Sequence, residues 1–223
     1  MTYEYVFRGI VIGNSNVGKT SLCQQYCHNK CPIEHESTVG VDFFSKIVDI
    51  KDNEGKSHAI KLQLWDCAGS DSFKSITRSY YRNTSLVFVV YDCTHRRSFK
   101  DVTEWLKDVR TVCDPNIVIT LIHNKTDWHL QSQVDSREAK AFAHEHGMLF
   151  GETSSKLGIG VDSCFYQSIR ELYIKLKLGI IAPESRLGIR STELDRGLNI
   201  GSSTHHTPTV DHSTRLCNHC TIV

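Results

Sequence analysis

The 223-residue sequence has no apolar run approaching the ~18 residues that a membrane-spanning helix needs, and Met1-Thr2-Tyr3-Glu4 begins no secretory signal. It has no excess of charge either. The 26 Lys and Arg against 25 Asp and Glu leave a net +1, so nucleic acid would find no basic face and no nucleic-acid partner is expected. The nine cysteines are odd in number and lack framework spacing, which excludes a disulfide scaffold and points to a reducing compartment. Internal repeats are missing, which excludes solenoids and propellers. What is present is ordinary for a globular chain, with 39% hydrophobic and 23% charged residues, enough to bury a full core in one domain with chain to spare. The body is expected in the cytosol.

One stretch organises the rest. Gly13 to Thr20 reads Gly-Asn-Ser-Asn-Val-Gly-Lys-Thr, the spacing of a phosphate-binding loop, between apolar Tyr5 to Ile12 and an amphipathic start at Ser21-Leu22-Cys23. A glycine-rich turn between strand and helix aims successive backbone N–H groups, here those of Ser15, Asn16, Val17, Gly18, Lys19, Thr20 and Ser21, at one spot backed by the positive helix end. Lys19 adds a charge for the β- and γ-phosphates, and the Thr20 hydroxyl is a natural Mg²⁺ ligand.

The pattern along the chain alternates strand and helix. Strands are expected over Tyr5 to Ile12, Val41 to Ile50, the Ile60-Leu62-Leu64 alternation, Leu86 to Tyr91, Ile117 to Ile122 and Met148 to Phe150. Helices are expected after the phosphate loop as far as His28, over Ser98 to Val112, over 135–146 and from Gly160 to Leu178. Ser70 to Arg82 is too irregular to assign. The fold class is therefore α/β, a P-loop NTPase with a mostly parallel six-stranded sheet and helices on both faces. Residues 1–178 form this domain. From Gly179 to 223, Gly, Ser, Thr and Pro dominate and apolar periodicity stops, which reads as a flexible tail.

The remaining motifs all follow strands, where open α/β sheets bind ligands. Asp66-Cys67-Ala68-Gly69 alone fits a turn as well as a site. After a phosphate loop, Asp66 can hold a water on Mg²⁺ and Gly69 lets a backbone N–H approach the γ-phosphate. Cys67 stands where a motor ATPase would want a catalytic Glu. In Asn124-Lys125-Thr126-Asp127, the Asp127 carboxylate can accept both N1–H and the exocyclic amine of guanine, a match adenine cannot make. Asn124 and Asp127 are thus expected to read guanine, the stem of Lys125 to pack along the base, and Ser154-Ser155-Lys156 to close the pocket. GTP or GDP with Mg²⁺ is the expected ligand, and a P-loop kinase or ATPase is disfavoured.

These motifs in this order make the chain resemble a Ras-superfamily GTPase of the Rab branch over residues 5–178. Thr38-Val39-Gly40-Val41-Asp42-Phe43 is similar to the Rab switch I, and Ile60 to Asp66 with Ser75 to Arg82 resembles the pattern flanking switch II. The resemblance implies that Thr38 coordinates Mg²⁺ and touches the γ-phosphate only in the GTP state. It implies that Phe43, Trp65 and Tyr80 form the aromatic triad read by effectors. It also implies an exchange factor, an activating protein, and a prenylation and GDP-dissociation-inhibitor machinery. The expected place is the cytosolic face of an intracellular vesicle membrane, with a cytosolic pool.

Three departures stand out. The family has Gln after the switch II Gly, then Glu-Arg-Phe, whereas this chain reads Ser70-Asp71-Ser72-Phe73. A serine hydroxyl is too short to orient the attacking water from that position, so slow hydrolysis and a long-lived GTP form are expected unless Asp71 or a partner compensates. Lys19, Thr38, Gly69 and Ser70 are the catalytic group so expected, and a GTP-locked scaffold is the alternative. Asn16 replaces a frequent Gly, and His123 a frequent small residue. At the end, Cys220-Thr-Ile-Val is a prenylation box and Cys217 the second lipid-bearing cysteine, since Arg215 alone makes no polybasic anchor. The span from Gly179 to Cys217 would reach on the order of 35 Å as a flexible chain. A rival reading puts zinc on Cys217, His219 and Cys220 with His205, His206 or His212.

Overall fold

The computed structural model describes residues 2–31, 38–183 and 187–192. Tyr5–Ile12 forms β1 and Lys19–His28 forms α1, which Asn29 ends in the left-handed conformation at φ +53°. The β2–β3 hairpin follows as Val41–Lys51 and Ser57–Cys67, turning at Asp52 to Gly55 with Gly55 at φ +82°. The unassigned stretch contains a 3₁₀ turn, Asp71–Phe73, and a short helix α2, Lys74–Ser79. Strands β4 (Leu86–Asp92), β5 (Val118–Asn124) and β6 (Leu149–Glu152) alternate with helices α3 (Arg96–Lys100), α4 (Val102–Val112), α5 (Ser136–Glu145) and α6 (Val161–Lys177). The single helix expected over Ser98 to Val112 is thus two, because Asp101 accepts from both Glu104 N–H and Trp105 N–H and tightens the turn there.

The sheet runs β2-β3-β1-β4-β5-β6, parallel except for the β2–β3 hairpin. Every residue of β4 is buried, as a strand covered on both faces requires. One core layer joins Leu22, Cys23 and Tyr26 of α1 to Phe165, Ile169 and Leu172 of α6. The other joins Phe99, Val102, Trp105 and Leu106 to Ala139 and Ala143. A fully buried side chain of this size contributes roughly 1.5–3 kcal/mol, so the two layers fix the strand ends that carry the site.

A seventh strand differs from expectation. Ile189–Ser191, within the range read as flexible tail, forms β7 and pairs antiparallel with Tyr5–Phe7 of β1. The reason lies in the register. Strand β4 joins β1 only from Gly9 onward, leaving the backbone groups of its first residues open on that side. Gly188 O accepts Arg8 N–H at 2.9 Å, Thr192 N–H donates to Glu4 O at 3.0 Å, and Ile189 is wholly buried. Residues 193–223, with Cys217, Cys220 and the histidines of the zinc alternative, lie outside the described residues. Among the described residues no helix is long and apolar enough to cross a membrane.

Candidate functional site

The phosphate loop crosses the carboxyl end of β1 between β3 and β4, where the two neighbours of β1 diverge in chain order. Its bends need unusual backbone. Gly13 lies at φ +139° with Val90 O only 2.1 Å from where a Cβ would be, so no side chain fits. Asn16 takes φ +64°, a left-handed conformation that asparagine tolerates better than most residues, which explains how it stands in for the frequent Gly. Gly18 caps α1 at φ +93° and leaves room for the Asn124 amide.

Polar groups converge under this loop. The Thr20 hydroxyl lies 2.8 Å from the Thr38 hydroxyl and hydrogen-bonds to Asp66 Oδ2. Among the described residues Asp66 Oδ1 is buried with no partner, and burial pushes this carboxyl up to about 6 despite the Thr20 hydroxyl and Lys19. An orphaned carboxylate oxygen beside two hydroxyls is an oxygen-ligand set that suits Mg²⁺. Thr20, Thr38 and Asp66 would hold the ion, Asp66 through a water, and the ion would neutralise charge on the phosphates. Lys19 is almost fully buried, with Nζ donating to Asn14 O at 2.8 Å, and burial lowers its pKa against the pull of Asp66. Gly69 rests on the loop itself, since a Cβ there would stand 2.4 Å from Asn14 C and 2.5 Å from Ser15 N.

The base-side loops are tied together by Asn124. The sequence reading has Asn124 facing guanine. In the structure its Nδ2 donates to Val17 O at 2.9 Å and Ser155 Oγ at 3.3 Å, and Oδ1 accepts Thr153 Oγ–H and Ser155 N–H. Asn124 is thus a strut between three loops. Asp127 Oδ1 accepts the Ser154 hydroxyl at 2.7 Å, which orients the carboxylate. Lys125, at φ +66°, donates to Asn16 O at 2.7 Å and pairs with Asp92 at 2.7 Å. Burial raises the Asp92 pKa, but hydrogen bonds from Lys125 and Thr94 outweigh it and hold the carboxyl below its usual range. Lys156 is exposed and Ser21 buried. Asp92 and Asn14 escaped sequence reading because their partners, Lys125 and α4, are distant in the chain.

The family model of the Ras family matches residues 8–174. The chain belongs to the Ras family. It is accordingly a small GTPase that binds guanine nucleotide. In this Ras-family chain the expected catalytic group divides. Lys19, Thr38 and Gly69 gather around the phosphate loop, while Ser70 Oγ lies 2.8 Å from Ser72 Oγ, within its own turn. His123 is buried against Tyr91, whose hydroxyl lies 2.6 Å from Nδ1, and burial lowers its pKa so that it is neutral at pH 7.

Proposed function

We propose that this small GTPase is a Rab-type switch that binds GTP or GDP with Mg²⁺, cycles slowly, and recruits effectors in vesicle trafficking. The observation that carries the Rab assignment is the Phe43–Trp65 pair. The rings meet edge to face with centroids 5.0 Å apart, and Phe43 is 50% exposed on strand β2. Tyr80 packs with Trp65 against the same core layer. An aromatic held this far into solvent by a half-buried partner is a surface for another protein. Prenyl groups on Cys217 and Cys220 would anchor the chain to an endomembrane, with the exchange factor, activating protein and GDP-dissociation inhibitor acting on the switches. Mass spectrometry of the C-terminal peptide from protein made in eukaryotic cells tests the anchor: two prenyl groups are expected, and an unmodified peptide removes it.

The slow off-step rests on Ser70. Its one-carbon side chain is engaged with Ser72, so it contributes no reach toward an attacking water. In single-turnover GTP hydrolysis, Ser70→Gln is expected to run about tenfold or more faster than the native chain, a lowering of about 1.4 kcal/mol in barrier. Equal rates would show that another group positions the water. The same short contact favours a second reading, a GTP-locked scaffold, and a native rate indistinguishable from GTP in buffer would select it.

A further inference from the structure

Asn14, the second residue of the phosphate loop, has its side chain held away from the nucleotide by helix α4. Trp105 Nε1–H donates to Asn14 Oδ1 at 2.8 Å, and Asn14 Nδ2 donates to Asp101 Oδ2 at 2.7 Å. The Asn14 carbonyl accepts Lys19 Nζ at 2.8 Å, so this one residue is pinned at three points. Its peptide is also the surface on which switch II begins, because the missing Cβ of Gly69 would lie 2.4 Å from Asn14 C. The other end of that segment meets the same helix. Lys74, the first residue of α2, places Nζ 5.3 Å from the centroid of the Trp105 ring, within cation–π range. Trp105 itself is 5% exposed and packed in the core layer over β4.

We infer that Trp105 is a positioning residue that locks the phosphate loop to switch II: its N–H fixes the Asn14 peptide on which Gly69 sits, and its ring seats Lys74. This rests on the guanine-nucleotide switch reading and adds a regulatory contact to that site. A rigid side chain touching both partners couples them only if it favours one arrangement of switch II over the other. The contacts on Gly69 matter most when a γ-phosphate is present, since that is the group its N–H approaches. Losing the Trp105 N–H therefore loosens the GTP form more than the GDP form.

The test uses the full chain in two measurements. Trp65→Phe with Trp128→Phe leaves Trp105 as the sole tryptophan, and its emission is expected to differ between protein loaded with GDP and with a non-hydrolysable GTP analogue. Trp105→Phe and, separately, Asn14→Ala are expected to lower affinity for the analogue relative to GDP by about three- to tenfold, the worth of one hydrogen bond in a buried setting. Asn14→Ala leaves the core intact should Trp105→Phe fold poorly. Val109→Ala, a core truncation in the same helix, serves as the control that lowers thermal stability without moving the ratio. Identical Trp105 emission in the two states, or equal weakening of both nucleotides, overturns the inference. Absence of any guanine-nucleotide binding by the native chain would instead bring down the switch reading and this contact with it.

Discussion

The two ends of the sheet are built on opposite rules. At the carboxyl ends of β1 and β3, polar groups are buried without full satisfaction: among the described residues Asp66 Oδ1 has no partner, and Lys19 Nζ donates to a backbone carbonyl. At the amino ends, polar groups close on one another. His58, 3% exposed, has Nδ1 2.9 Å from Glu4 and Nε2 3.0 Å from Asp52, and its ring packs 4.8 Å from that of Tyr173. Strand β7 then covers the open start of β1. A buried carboxylate oxygen without a partner beside a buried lysine costs stability, so their meeting at this end marks where a ligand completes the fold. The far end, where the Tyr173 hydroxyl lacks a partner among the described residues, holds the sheet together through His58 and β7.

Changes at the ligand end should alter binding far more than folding. The largest effect is expected from Asp127→Ala, which removes the carboxylate expected to distinguish guanine and frees the Ser154 hydroxyl. GTP affinity should fall by roughly 10³-fold or more, read by nucleotide competition, with little change in the urea midpoint. A smaller effect follows from Asp66. Burial holds this carboxyl at about 6 in the folded chain, against about 4 when unfolded. Between those values the folded state keeps a proton that the unfolded state has lost. Stability of metal-free, nucleotide-free protein should therefore fall as pH rises from about 4 to about 6 and stay lower above, by up to roughly 3 kcal/mol. Urea titration across that range checks it, and Asp66→Asn should flatten the step.

The amino end should respond in the opposite sense. Gly188 lies at φ +67°, and a Cβ there would stand 2.2 Å from Asn83 O. That carbonyl belongs to the backbone and cannot swing aside, so Gly188→Ala should unzip β7 from β1. The expected cost is about 2 kcal/mol, or a melting-point drop of about 4–8 °C for a domain of this size. Hydrogen exchange at the Arg8 amide, bonded to Gly188 O, should quicken while GDP affinity stays unchanged. A loss of GDP affinity would mean that the two ends are coupled, against the comparison.

Most of the ligand end was legible in the sequence because its chemistry is local. A strand, a glycine-rich turn and a helix in register fix the loop; Thr20 opens α1, Asp66 sits at the end of β3 and Asp127 lies three residues after β5. The groups that position them were not legible. Asn14 depends on Trp105 and Asp101, Asp92 on Lys125, and Asn124 on Val17 and Ser155, pairs that only the finished sheet brings together. Strand β7 was hidden for a different reason. Leu187-Gly188-Ile189-Arg190-Ser191 is too short for a period to declare itself amid Gly- and Ser-rich chain, and its pairing depends on where β4 starts. The short helix α2 inside Ser70 to Arg82 has only Thr77 buried, so it too carries no apolar period.

The smallest effect expected at the ligand end is the one that sequence comparison with the family would rank high. Asn16 replaces a frequent glycine in the phosphate loop, and added bulk there suggests altered exchange. The structure gives the position a left-handed backbone at φ +64° with the side chain exposed, and the useful group is its carbonyl, which accepts Lys125 Nζ. A glycine would offer the same carbonyl and an easier backbone, at the cost of a more flexible unfolded chain. Asn16→Gly should therefore change stability by less than about 1 kcal/mol and leave GDP release within about twofold of native. Asn16→Val keeps the carbonyl but places a β-branched residue where the backbone is left-handed, and should destabilise the loop by about 1–2 kcal/mol with faster GDP release. If Asn16→Gly altered GDP release as much as Asn16→Val, the asparagine side chain would be acting on the nucleotide, and the backbone account of this departure would fail.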